Sequence, residues 1–231
     1  MDVLPEADEK AAVVRTMFDR IAPSYDRMNR IITLGFDQRW RRSLIEALGV
    51  TGDDTVLDLA CGTGDFAVMA RAQGASVVGL DFAGAMLAAA RERCPDDIAL
   101  VRGDALRLPL ARGSVSVVVS GFALRNFVAI PPVLEELARV LRPGGRVGLL
   151  EVDEPRSAVL RLGHGLYFRR VVPAIGALLS DGRAYAYLPA SASYLPEGEG
   201  LRDMLAEAGF IDIEKRSHLG GAAQSITAVR K

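Results

Sequence analysis

The chain has 231 residues, half of them hydrophobic, with 28 Lys+Arg against 29 Asp+Glu and a formal net charge of −1. That length suits one domain, or one domain with an elaborated insert, and the near-neutral balance excludes a broad electrostatic grip on nucleic acid. Cys61 and Cys94 make no disulfide framework, the acidic start MDVLPEADEKAA reads as no signal peptide, and no run reaches the ~18–20 apolar residues of a membrane span, so a cytoplasmic protein is expected.

After a loose first dozen residues, AAVVRTMFDRIAPSYDRMNRIITLGFDQRWRRSLIEALGV reads as helices broken at Pro23 and Gly35 and ended at Gly49. The period then changes. TVLDLA (55–60) is a short buried strand and DFAVMARAQ a helix. SVVGLD (76–81) is a second strand, followed by the helix GAMLAAARER. IALVRGD (98–104) and SVSVVVSG (114–121) are the third and fourth strands, and PPVLEELARVL is a helix entered through proline. RVGLLEVD (146–153) is the fifth strand. Residues 154–200 then lose the pattern, apart from one apolar helical stretch, LRLGHGLYFRRVVPAIGALL. Order returns with the helix GLRDMLAEAGF and two last strands, IDIEKRS and AAQSITAVRK. Strands alternating with helices predict a doubly wound α/β fold with a mostly parallel, seven-stranded sheet. We take 1–45 as an N-terminal helical segment, and 46–231 as the main domain with a cap inserted at about 154–200.

The loop DLACGTGD (58–65) joins the first strand to the next helix, where open α/β sheets bind ligands. Gly62 and Gly64 clear side chains from an approaching ligand, and the helix start offers free N–H groups. GTGDFA also fits the dinucleotide pattern G-x-G-x-x-A, which alone is a weak signal, and a plain tight turn is the bland alternative. Asp58 and Asp65 decide against a pyrophosphate, since an acid on each side of the loop repels it. S-adenosylmethionine has an ammonium, a sulfonium and no phosphate, so its charge suits this loop. Asp81 ends the second strand, where a carboxylate can accept both ribose hydroxyls, a role it could also serve for NAD. Asp104, with the Ala105 N–H, is placed to read an adenine edge; a helix N-cap is the competing role for either acid.

VLDLACGTGD, VVGLDFAGAML, GDALRLPL and LRPGGRVGLLE together resemble the class I S-adenosylmethionine-dependent methyltransferases. YDRMNRIITLGFDQRWRR (25–42), GFALRNF (121–127), Tyr185 and Tyr187, and the closing AGF and LGG are similar to the UbiE/MenG/COQ5 family, over nearly the whole chain. The resemblance implies C-methylation of a polyprenylated benzoquinol or naphthoquinol. It places the cofactor against Tyr25, Asp58, Ala60, Gly62, Thr63, Gly64, Asp81, Phe82, Asp104, Ala105 and Gly121. Thr33 and Asp37 before Trp40, Gly121 and Ala123 around Phe122, and Pro196-Glu197-Gly198 depart from the family pattern, touching the acceptor side more than the cofactor side.

The chemistry follows from the acceptor. Methyl transfer is an in-line displacement at a sulfonium whose leaving group is neutral, so no acid is needed, but the carbon nucleophile is weak until its quinol oxygen loses a proton. Arg125 and Asn126, just beyond the fourth strand, are the expected catalytic pair, holding the developing phenolate; Arg125 as a surface ion pair is the competing reading. Asp65 is the expected proton acceptor, through a water. Tyr25 covers the sulfonium or the methionine carboxylate, or else is a core tyrosine. His164 and His218 lack metal-ligand spacing, so no metal is expected. Trp40 reads as a packing anchor, and Arg161, Arg169 and Arg170 as a solvated helix face. Expected partners are a lipid-soluble quinol or phenolic small molecule, with peripheral membrane contact and a homodimer as further expectations. An NAD(P) oxidoreductase lacks support because no lysine lies between Lys10 and Lys215 to build a Tyr-x-x-x-Lys site. An adenosyl-ligand sensor competes with the quinol reading, and so does an O-methylating enzyme of phenolic or polyketide natural products.

Overall fold

The short apolar runs pair into one sheet in a computed structural model that describes residues 4–6, 9–155, 157, 162–163, 165–172, 184, 187, 190–196 and 198–231. Arg161, His164 and Tyr185 lie outside the described residues, as does the side chain of Arg169. The strands are β1 (Thr55–Leu59), β2 (Ser76–Asp81), β3 (Ala99–Arg102), β4 (Val115–Gly121), β5 (Leu141–Val152), β6 (Phe210–His218) and β7 (Ala223–Arg230). Their order is β3-β2-β1-β4-β5-β7-β6. β7 runs antiparallel to β5 and β6, and every other neighbouring pair is parallel. The chain leaves β1 toward one edge and returns at β4 on its other side, which opens a crevice beyond the carboxyl ends of these two strands.

Burial explains the strand sequences. β4, VSVVVSG, is buried at every position but its last because helices cover both faces. Val118 joins one apolar layer with Leu57, Leu134, Leu137 and Leu149. Val117 and Val119 join the opposite layer with Leu44, Leu48, Val56 and Phe66. β3 and β6 are the edge strands, and Asp212, Glu214, Lys215 and Arg216 of β6 discourage pairing with another chain. β5 begins five residues earlier than the run RVGLLEVD implies. The chain pairs first at Leu141 with Val115, bulges through Pro143 and Gly144, and resumes at Arg146 with Val117.

The helices are α1 (Lys10–Ile21), α2 (Tyr25–Ile32), α3 (Phe36–Ala47), α4 (Asp65–Ala72), α5 (Gly84–Arg93), α6 (Ile130–Val140) and α7 (Gly200–Glu207). Pro23 sits in a single 3-10 turn between α1 and α2, and Gly35, at φ +76°, turns the chain into α3. α3 crosses residue 45, and its Leu44, Ile45 and the following Leu48 are part of the sheet's own core. α1 and α2 build a third cluster from Ile21, Met28 and Ile32 against Met86 of α5. Val172 and Ala184 of the late insert complete it, with Tyr167 packed at its border. The Tyr167 hydroxyl also donates to the Ile32 carbonyl at 3.0 Å. So the described part of the insert closes onto the N-terminal helices. Trp40 is the packing anchor its sequence context predicts, stacked on Phe36 and against Phe122 and His218.

Gly148 lets α3 lie flat on β5. A Cβ there would fall 2.6 Å from Leu48 Cδ1 and 3.0 Å from Leu44 Cδ1. Gly148→Ala is expected to cost about 1–3 kcal/mol through overpacking, read as a lower urea midpoint with an unchanged slope.

Candidate active site

Between β1 and α4 the backbone turns through three left-handed residues, Ala60 (φ +53°), Gly62 (φ +56°) and Gly64 (φ +87°). The left-handed shape costs Ala60 about 1–2 kcal/mol, since it carries a Cβ. The two glycines serve different ends. A Cβ on Gly62 would meet only the Tyr25 ring, at an ordinary contact distance of 3.8 Å, so Gly62 is not crowded by its neighbours. A Cβ on Gly64 would run into Cys94 Sγ, so Gly64 lets α4 approach the end of α5.

A cleft lies over the carboxyl ends of β1, β2, β3 and β4. Eight of the eleven expected cofactor residues line it: Tyr25, Ala60, Gly62, Asp81, Phe82, Asp104, Ala105 and Gly121. Phe18, Phe122, Asn126 and Phe127 complete much of its wall. Asp81 is buried. One of its oxygens accepts the Gly62 N–H at 2.8 Å and the other the Ala83 N–H at 2.9 Å. Burial raises its pKa against the pull of these N–H groups. Each carboxylate oxygen keeps a second lone pair for a ligand. Asp104 is exposed and accepts the Leu106 N–H at 2.9 Å, which shapes its turn. Gly121 admits Arg41, whose Nη1 would lie 2.7 Å from a Cβ. Burial pushes the Tyr25 phenol above its usual pKa, and its ring meets Phe18 edge-on at 6.0 Å.

The other three expected cofactor residues, Asp58, Thr63 and Gly64, do not line the cleft. Asp58 sits beneath the loop and accepts the Ala67 N–H of α4 at 2.8 Å. Burial pushes its pKa up to about 7, although Arg41 and that N–H oppose the shift. Thr63 donates to Asp26 at 2.6 Å and so fastens the loop to α2.

The expected catalytic set is split by the fold. Asn126 lines the cleft, with its Nδ2 on the Phe122 carbonyl at 3.2 Å; Arg125 and Asp65 lie outside it. Arg125 is no surface residue: it is 5% exposed, ion-paired with Glu151 and donating to Ser191 at 3.2 Å. Asp65 is the hub of an ion cluster. It accepts Arg30 at 3.0 Å, Arg93 at 2.9 Å and Gln38 at 2.9 Å, with Arg41 at 3.5 Å. Burial works to raise its pKa, but Arg41, Arg93 and Arg30 outweigh burial and hold it below the ordinary carboxylate value. Both Asp65 oxygens are already taken, one by Arg30 and Arg93 and the other by Arg30, Gln38 and Arg41, so neither is free for a phenolic proton and the expected role for Asp65 does not fit its surroundings. Glu151, Arg30, Arg41 and Arg93 escape a reading of the sequence because each meets its partner from a distant segment; Glu151 at the carboxyl end of β5 is the one whose position offered a signal.

Among the described residues, the charged side chains lining the cleft are both acids, Asp81 and Asp104. The donor set therefore fits a cationic ligand without phosphates. Comparison with known proteins agrees. Residues 6–230 match the model of the ubiE/COQ5 methyltransferase family. The chain belongs to that family. It is 42% identical to a demethylmenaquinone methyltransferase of a Roseiflexus species, over 99% of this chain and 98% of that one. It is 44% identical to the Thermus thermophilus demethylmenaquinone methyltransferase, over 84% and 91%. A SAM-dependent methyltransferase structure from Thermotoga maritima superposes with a TM-score of 0.67 at 18% identity, covering 94% of this chain and all of that one, and shares the fold. This family member is an S-adenosylmethionine-dependent methyltransferase. Among the described residues no cluster of His, Cys, Asp and Glu could hold a metal, and no helix is long and apolar enough to cross a membrane.

The titration of Asp58 has a measurable consequence. Its carboxyl holds a proton in the folded chain up to about pH 7, whereas the unfolded chain releases it near 3.8. Its stabilising contribution is therefore complete below pH 3.8 and is lost as pH rises toward 7. Asp58→Asn keeps an acceptor for the Ala67 N–H and does not titrate. Its Tm relative to wild type is expected to climb steadily from pH 4 to pH 8 in ligand-free protein; an offset independent of pH contradicts the assignment.

Proposed function

We propose that this chain transfers a methyl group from S-adenosylmethionine to a ring carbon of a polyprenylated quinol of the demethylmenaquinol type. The end-to-end 42% likeness to a relative named demethylmenaquinone methyltransferase carries the reading. A relative named ubiquinone/menaquinone biosynthesis C-methyltransferase, from Syntrophotalea carbinolica, supports transfer to carbon at 38% identity over 90% of both chains. Bound S-adenosylmethionine supplies an electrophilic methyl group.

The residues then divide the work. Asp81, with lone pairs left over from Gly62 and Ala83, takes the ribose hydroxyls. Asp104 and the Ala105 N–H read the adenine, with Phe82 beside it. Gly62 and Ala60 leave room for the methionine part, and Tyr25 covers it from α2. The acceptor ring comes to the side of the cleft formed by Phe122, Asn126 and Phe127. There Arg125, one residue from Asn126, favours a developing phenolate through its charge. Burial of the reacting atoms strengthens that interaction, because less water screens it.

A channel for the polyprenyl tail between residues 154–200 and the N-terminal helices belongs to this proposal, resting on the apolar stretch LRLGHGLYFRRVVPAIGALL. No described residue of 154–200 lines the cleft; Ala11, Phe18 and Tyr25 do so from the N-terminal side. Peripheral membrane contact is part of the proposal. Leu162, Leu166 and Val171 are exposed beside Arg170, an arrangement that suits a membrane face.

The test is methylation of demethylmenaquinols of increasing tail length with labelled S-adenosylmethionine, and mass spectrometry of the product. A C-methylated product and a kcat/KM that rises over the first isoprene units are expected. O-methylation, or better turnover of a tailless phenol, favours a natural-product enzyme instead. Asp81→Ala is expected to weaken S-adenosylmethionine binding by roughly 1.5–3 kcal/mol, the range for a hydrogen bond to a charged group. Calorimetry checks this, and an unchanged Kd removes the ribose role.

A further inference from the structure

Three residues linked to Arg125 each keep a buried polar atom without a hydrogen-bond partner among the described residues: Glu151 Oε2 of its ion pair, Tyr187 Oη within reach of its charge, and Asn126 Oδ1 of the same turn. Glu151 is 1% exposed and Tyr187 is 4% exposed, so water does not satisfy them freely. Each such group is costly when left unpaired, so several together call for a reason, of which a catalytic role is one.

The chemistry of the set is specific. Glu151 uses only one oxygen internally: Oε1 meets Arg125 Nη1 and accepts the Val152 N–H at 2.9 Å. Its Oε2 is a bare acceptor. Burial holds Tyr187 protonated, with a pKa pushed up to about 12, so its hydroxyl is a donor. The two residues are near enough for the Glu151 charge to act on Tyr187, yet neither atom reaches the other. A neutral phenolic hydroxyl is both donor and acceptor, and so completes both. Asn126 ties this cluster to the cleft, because it lines the wall and shares the turn Leu124–Asn126 with Arg125. The remaining acids near the cleft are committed elsewhere. Asp65 is held by arginines and Asp58 by the Ala67 N–H, and Asp81 and Asp104 stand at the ends of β2 and β3.

We propose that Glu151 takes the phenolic proton of the methyl acceptor, with the Tyr187 hydroxyl donating to the same acceptor oxygen. The inference rests on the quinol reading above and names the proton acceptor for it. The acceptor's O–H bond breaks and the proton moves to Glu151 Oε2, while the electron pair stays on oxygen and delocalises to the neighbouring ring carbon. That carbon bonds to the methyl group as the carbon–sulfur bond breaks, its pair remaining on sulfur. The methylated carbon then loses its hydrogen as a proton to water, the ring regains aromaticity, and the oxygen recovers its proton from Glu151. One proton leaves per turnover, which balances the loss of the sulfonium charge. Arg125 keeps Oε1 occupied throughout, so the proton arrives at Oε2.

The experiment compares wild type, Glu151→Gln and Tyr187→Phe on a short-tailed demethylmenaquinol across pH 6–10, with calorimetry for S-adenosylmethionine. Glu151→Gln is expected to bind the cofactor with unchanged Kd and to lose about 10²–10⁴-fold in kcat near pH 7, the range for general base catalysis. Its rate should recover as rising pH ionises the acceptor. An equal loss at every pH means that Glu151 only supports Arg125, and overturns the proposal. Tyr187→Phe should raise Tm by removing an unsatisfied hydroxyl, while kcat/KM falls about tenfold, the loss of roughly one hydrogen bond; a higher Tm with unaltered turnover also overturns it. If Glu151→Gln fails to bind cofactor because it has not folded, Tyr187→Phe decides alone. A wild type that methylates no quinol defeats the quinol reading itself, which separates that failure from this one.

Discussion

The neutralisation of Asp65 is the interaction on which the rest of the site depends. Asp65 opens α4, immediately after the glycine loop, and draws Arg30 from α2, Arg41 from α3 and Arg93 from α5 to one point. Asp37 and Asp26 share the same arginines, so three carboxylates face three guanidiniums. Removing one member of a fully buried pair costs roughly 3–5 kcal/mol. The cost here is smaller for Arg30 and Arg93, which stay about a third exposed, and largest for Arg41, at 7%. The cluster fixes where the N-terminal helices sit over the loop, and so where Tyr25 and Phe18 meet the cleft.

That arrangement also sorts charge. The arginines of the cluster point into the carboxylates behind the loop, while Asp81 and Asp104 face the cleft. A basic loop would have favoured phosphates. An acid-faced one, with its cations engaged behind it, favours a sulfonium and an ammonium. Arg41 has a second function in the same place: it lies 4.9 Å from the Phe66 ring centroid and 5.5 Å from that of Phe122, and it occupies the space that Gly121 leaves. The end of β4 is therefore glycine to admit a guanidinium. It also lines the cleft, where the sequence places the cofactor.

The acceptor side is assembled from both ends of the chain. Lys10, at the start of α1, is buried and donates to the Phe127 carbonyl at 2.7 Å. Its ammonium lies 3.5 Å from the ring centroid of Tyr194, whose hydroxyl donates to the Pro5 carbonyl at 3.1 Å. Burial lowers the Lys10 pKa, and the aromatic face and carbonyl offset part of that cost. The N-terminal arm and the 190–196 segment therefore hold each other beside the turn that carries Arg125 and Asn126. Ser191 from that segment meets Arg125 directly.

Periodicity and punctuation were legible in the chain alone. The order of strands and helices, the breaks at Pro23 and Gly35, the glycine loop and the acids ending β2 and β3 all follow from local rules. Motif spacing carried the cofactor and the family, and eight of the eleven residues assigned to cofactor line the cleft. The tertiary structure alone decided how the charges pair. Asp58, Asp65 and Arg125 have the right types close to the carboxyl ends of β1 and β4, yet Asp58 and Asp65 lie behind the cleft and Arg125 turns from its wall to pair with Glu151. Glu151 lies 26 residues from Arg125, and Asp65 lies 35 from Arg30. Pairings at such separations depend on how helices cross the sheet. No pattern within a window of sequence encodes that geometry, which is why the cofactor side could be read from the chain and the acceptor side could not.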